Sequence, residues 1–285
     1  QTESETDTGS QMGEEEEALF ARFFHVETRN AALTAALEVP LVLSAAWSLL
    51  RVVKLATRWL RIPHQQLLPR PIGHWILFLL LTLLASSMGC VRFLVDAVVT
   101  SPSRPSLEAY TGHVRYMHTF LTECARTLGV AGLGVAALSQ SQSNAHTHAH
   151  TATYNLLRIL LYGGGAVSLI LTILTLDTSQ GFLLVQAPAM VFALFYVTTD
   201  ARRRPAASLL ALSGMVLLTL AGKATELLPV DALPVLSPVD VSHVGMASSL
   251  PLLALSCESA VGSAPAPPPQ GKNKEEPTKK RSSSK

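Results

Sequence analysis

Runs of about twenty apolar residues recur along the chain between short polar connections, and this pattern predicts seven membrane-spanning α-helices. The spans fall at about 32–53, 75–99, 117–138, 156–176, 182–197, 206–221 and 239–256. At 1.5 Å per residue, roughly 20 residues match a hydrocarbon core ~30 Å thick. The first span is interrupted by Glu38 and Pro40, and the second opens on an interfacial Trp75 and carries Arg92 and Asp96 near its far end. The third contains Glu123, Arg126 and the small-residue run GVAGLGVAAL, which lets helices approach closely. Residues 1–20 are acidic and polar and residues 259–285 are Pro-rich, then basic, so both ends are expected to be disordered around a transmembrane domain at 21–258.

Composition supports the bilayer as solvent. The chain is 48% hydrophobic and only 15% charged, with a mean hydropathy of +0.33, outside the usual range of soluble domains. A formal net charge of +2 gives no bulk electrostatic case for nucleic acid, so none is expected as a partner. Cys90, Cys124 and Cys257 form no CxxC pair, and a disulfide framework is not expected. Phosphate-binding loops, HExxH helices and G-x-S-x-G elbows are absent, which removes soluble-enzyme chemistries of those kinds.

The positions of Lys and Arg predict an orientation. The connection after the first span carries Arg51, Lys54, Arg58, Arg61 and Arg70, and the connection after the fifth carries Arg202, Arg203 and Arg204. With seven spans, both fall on the same side as the basic tail and the 139–155 connection. The positive-inside rule then places the N-terminus outside or in a lumen and the C-terminus in the cytoplasm, in the plasma membrane or an endomembrane. Arg22, Arg29, Arg104 and Arg115 fall on the other side, against the rule.

In this topology Arg92, Asp96, His118, Glu123, Arg126, Asp240 and His243 lie at similar depth in the outer half of the bundle. Ionisable groups within a membrane mark functional sites unless they satisfy one another. The bland alternative is intrahelical pairing, Arg92 with Asp96 at i,i+4 and Glu123 with Arg126 at i,i+3. Asp240 and His243 share a helical face, where the carboxylate could orient the imidazole; alternatively Asp240 caps the helix. The alternating His146, His148 and His150 suit weak metal chelation or are low-complexity drift in a loop.

The seven-pass arrangement, the second span with Ser86, Ser87 and Cys90, and His243 near the start of the last span resemble the membrane hydrolase superfamily of alkaline ceramidases and progestin/adipoQ-type receptors. That superfamily carries Ser-x-x-x-His in the second span and His-x-x-x-His in the last, holding a zinc that activates water to hydrolyse a lipid amide. Here Ser86-x-x-x-Cys90 puts a thiol at the first ligand position, and His243-x-x-x-Ala247 lacks the second histidine. The resemblance implies Cys90 and His243 as zinc ligands, Ser86, Asp96 and Asp240 as catalytic residues, and membrane lipid as partner. Catalytic zinc takes three protein ligands and a water, so Asp96 or Asp240 would have to complete the set. A site that binds lipid without hydrolysing it is the alternative within this family. Outside it stand a seven-helix receptor or sensor and a transporter or structural membrane subunit.

Overall fold

The computed structural model describes residues 30–61, 70–99, 108–142, 148–175, 181–229 and 233–262, and within them the chain is helical without strands. The helices are α1 (Ala31–Leu60), α2 (Arg70–Val99), α3 (Glu108–Cys124), α4 (Val130–Gln142), α5 (His148–Thr175), α6 (Ala187–Asp200), α7 (Pro205–Leu227) and α8 (Pro238–Gly262). A π-turn at Ala125–Gly129 joins α3 and α4 into one rod, and a second π-turn at Phe182–Gln186 leads into α6. Seven rods therefore result among the described residues, one at each expected span. Six are long and apolar enough to cross a membrane; the rod containing α6, apolar over Leu184–Thr199, is shorter. The protein is an all-α, multi-pass membrane protein.

Every rod outruns the apolar run that predicted it. At ~1.5 Å per residue, α1 is about 45 Å long, more than a ~30 Å hydrocarbon core, so its last turns reach the interface. Arg51, Lys54 and Arg58 accordingly sit on helix α1, where the sequence suggested a loop. Arg51 lies over the Trp47 ring at 4.8 Å and pairs with Glu258 of α8. His148 and His150 likewise open α5, whereas His146 lies outside the described residues. α8 continues to Gly262, four residues into the stretch expected to be disordered, and Arg204 donates to the Ala260 carbonyl near its end. That bond satisfies one of the carbonyls a helix C-terminus leaves orphaned. The acidic segment 1–20 and the basic tail from 263 lie outside the described residues.

Local signals fix the helix starts. The Asn30 side chain accepts from Ala32 N at 3.0 Å and Leu33 N at 3.1 Å, an N-cap on α1. Ser237 and Asp240 form a reciprocal capping box on α8: Ser237 N donates to Asp240 Oδ2 at 2.7 Å, and Asp240 N to Ser237 Oγ at 3.3 Å. Packing runs in a ring, α1 against α2, α2 against α3 and α4, α4 against α6, α6 against α7, α7 against α8, and α8 back against α1, with α5 lying outside on α4. The small-residue run closes this ring: a Cβ on Gly134 would fall 2.9 Å from Ala189 Cβ, so α4 and α6 meet almost backbone to backbone.

Candidate intramembrane polar site

Four rods bring their polar residues together around Phe93, which is buried on α2. Glu38 on α1 is 1% exposed, and its Oε1 lies 3.2 Å from His243 Nε2 on α8. Neither Glu38 Oε2 nor His243 Nδ1 has a hydrogen-bond partner among the described residues. The carboxyl fits because residue 89 is glycine. A Cβ there would overlap Glu38 Oε1 and would stand 3.2 Å from His118 Nε2, so Glu38 and His118 reach the same small cleft. The ring of His118 meets Phe93 edge-on and that of His243 is tilted against it, with centroids 5.7 and 6.0 Å away.

Arg92, also buried, donates through Nη1 to His118 Nδ1 at 2.9 Å and holds its guanidinium 5.3 Å from the Phe93 centroid. Its i,i+4 partner Asp96 stands 3.7 Å from Arg92 Nε, so the expected intrahelical pair forms. Asp96 is held more closely from α3, where Arg115 Nε and Nη2 both donate to its Oδ1, at 3.0 and 2.8 Å. The charge of Arg115 is thus engaged with an acid of the bundle. The other expected pair also forms, with Arg126 Nη1 2.9 Å from Glu123 Oε1.

Asp240 takes a structural position. Besides the capping box, its Oδ1 accepts from Thr34 Oγ1 of α1 at 2.8 Å, so every hydrogen bond it makes in the described structure serves helix α8 or the α1–α8 seam. The acid facing His243 is Glu38, not Asp240. Ser86 Oγ donates to the carbonyls of Thr82 and Leu83 on its own helix, at 2.9 and 3.2 Å. Cys90 Sγ lies 4.0 Å from the Ala35 carbonyl. Among the described residues no group of three or more His, Cys, Asp and Glu side chains is placed to hold a metal ion. The described residues therefore do not fit a three-ligand zinc centre at Cys90 and His243.

Glu38, Gly89, Thr34 and Ser237 are the participants that sequence reasoning passed over. A lone acid inside an apolar run was a legible signal for the first, and Ser237-Pro238-x-Asp240 is a capping-box pattern. Apart from Glu123, which Arg126 holds, the cluster contains three acids, Glu38, Asp96 and Asp240, and two arginines, Arg92 and Arg115. Asp96 has the arginines, and Asp240 has an N-terminal helix turn with several donors. Glu38 has an imidazole. The chain matches no protein family, no curated protein and no solved structure.

Proposed function

We propose that this protein is a proton-responsive membrane carrier or sensor whose proton-binding element is the Glu38–His243 pair. The observation that carries this reading is the buried carboxyl of Glu38, 3.2 Å from an imidazole, with Arg92 close enough to act on it through space but no hydrogen bond from an arginine or a backbone N–H among the described residues. A lone charge in low dielectric is costly, and three acids against two arginines leave the layer one proton short of neutrality. A carboxyl–imidazole pair supplies that proton and can exchange it, since the two groups titrate as a unit. The pair joins α1 to α8, so a change in its protonation acts directly on the seam between the first and last helices.

This reading is taken together with seven spans, counting the α6 rod, and with the N-terminus on the outer or lumenal side. The alternating basic connections support that orientation. Exposed Ile159, Ile170 and Leu174 on the outlying α5 suit contact with lipid acyl chains, the role in which lipid enters here.

The test is difference infrared spectroscopy of the full chain in lipid nanodiscs between two pH values. A protonated-carboxyl band is expected that shifts on ¹³C-glutamate labelling, does not shift on ¹³C-aspartate labelling, and disappears in Glu38→Gln. Absence of a glutamate band in the wild-type protein, or its persistence in Glu38→Gln, overturns the reading.

A further inference from the structure

The two histidines at Glu38 look equivalent in the sequence, and their surroundings make them different. Arg92 Nη1 lies 2.9 Å from His118 Nδ1. A guanidinium has donors only and keeps its proton, so this bond requires a lone pair on Nδ1. Neutral imidazole then carries its hydrogen on Nε2, and imidazolium, a donor at both nitrogens, cannot keep the bond. His118 Nε2 stands beside the space at Gly89 that Glu38 Oε1 also borders, and Thr122 Oγ1, 3.4 Å away, is the acceptor within hydrogen-bond distance of it.

His243 carries no such constraint. Its Nε2 faces Glu38 Oε1, and its Nδ1 is buried without a hydrogen-bond partner among the described residues. The other titratable or charged groups of the same cluster are Arg92 and Cys90 from α2, His118 from α3, and Asp240 one turn earlier on α8. None of these is hydrogen-bonded to the His243 ring among the described residues. Both protonation states of His243 are therefore compatible with its contacts.

We infer that Arg92 is a positioning residue that locks His118 as the neutral Nε2–H tautomer, a fixed donor into the Gly89 cleft, and leaves His243 as the one imidazole that exchanges a proton with Glu38. This rests on the proton-binding reading above and assigns its two imidazoles separate roles. The step is a proton transfer, in which the N–H bond of His243 breaks as the O–H bond of Glu38 forms. The proton on His243 Nε2 passes to Glu38 Oε1 and back, while His118 keeps its hydrogen and supports the carboxylate form.

The experiment is a pH titration of full-length protein in nanodiscs, with ¹⁵N-labelled histidine, followed by solid-state nuclear magnetic resonance. His118→Asn and His243→Asn assign the two rings. The expected wild-type result is an Nε2–H signal for His118 that holds across the pH range in which the fold persists, with His243 moving between neutral and imidazolium forms. Arg92→Gln is expected to give His118 a tautomer mixture and make it titrate. An Nδ1–H tautomer at His118, or titration of His118 in the wild-type protein, overturns the inference, as does a His243 that stays neutral throughout. The wild-type spectrum decides even if Arg92→Gln does not fold. Failure of the proton-binding reading shows separately, as loss of the Glu38 infrared band, which does not depend on the His118 tautomer.

Discussion

Thr34 Oγ1 donates to Asp240 Oδ1 at 2.8 Å, binding the first helix to the last through buried side chains on both. The same carboxylate closes the capping box with Ser237, so one side chain holds a helix start and a helix–helix seam. Thr34→Val removes the seam bond, along with the longer 3.1 Å donation to the Asn30 carbonyl, and is expected to cost about 1 kcal/mol, in the range of interhelical hydrogen bonds in membranes. Asp240→Ala removes the seam bond and the capping box and is expected to cost about 2–3 kcal/mol, adding a lost cap. Unfolding of the two single variants and the double variant in mixed micelles checks this. The double variant should be no less stable than Asp240→Ala alone, because Thr34 then has no carboxylate to bond.

Asp96 serves two arginines of unequal exposure. Arg115 has a side chain 43% exposed, whereas that of Arg92 is 3% exposed. Arg115→Ala leaves Asp96 beside Arg92 and is expected to cost about 1 kcal/mol or less, as for a partly exposed ion pair. Asp96→Ala takes the carboxylate from a buried guanidinium and is expected to cost about 3–5 kcal/mol. Equal losses in the same unfolding assay would mean that Asp96 does not neutralise Arg92.

Gly89 and Gly163 separate packing at the cleft from helix propensity. A Cβ on Gly163 meets nothing within 4 Å, so Gly163→Ala should stabilise α5 slightly, as Ala replaces Gly in a helix. A Cβ on Gly89 falls on the Glu38 carboxyl, which is buried and has little room to withdraw. Gly89→Ala is expected to lose about 1–3 kcal/mol by overpacking and to shift the Glu38 infrared band. A Gly89→Ala protein with wild-type stability and an unchanged band would place Glu38 elsewhere.

What was legible in the sequence follows from how far each signal reaches. Apolar runs report their own surroundings, so each of the seven runs coincides with a helical rod among the described residues, six of them long enough to cross a membrane, and the rods extend past the runs where Arg51, Arg58 and Glu258 continue the helices. Pairs on one helix were equally legible: Arg92 with Asp96 and Glu123 with Arg126 both form. Spacing on one helix does not say which other helix lies opposite. Asp240 and His243 share a face, yet the first is held by Ser237 and Thr34 and the second meets Glu38, from the other end of the chain. Glu38 read as an interruption of its span because nothing near it in sequence is its partner.

Cys90 faces a backbone carbonyl of α1 and Ser86 is bonded to its own helix, so the residues named by the resemblance do not converge on His243. Glu38 and His243 come together instead, and no third His, Cys, Asp or Glu is placed to complete a metal site with them among the described residues. Purified protein with residues 146–150 replaced by Gly and Ser is therefore expected to contain well under one zinc per chain by elemental analysis. His243→Ala should leave that content unchanged. Stoichiometric zinc that disappears with His243 would mean that the helices close further around this pair than the structure shows, and it would return the lipid-amidase reading to first place.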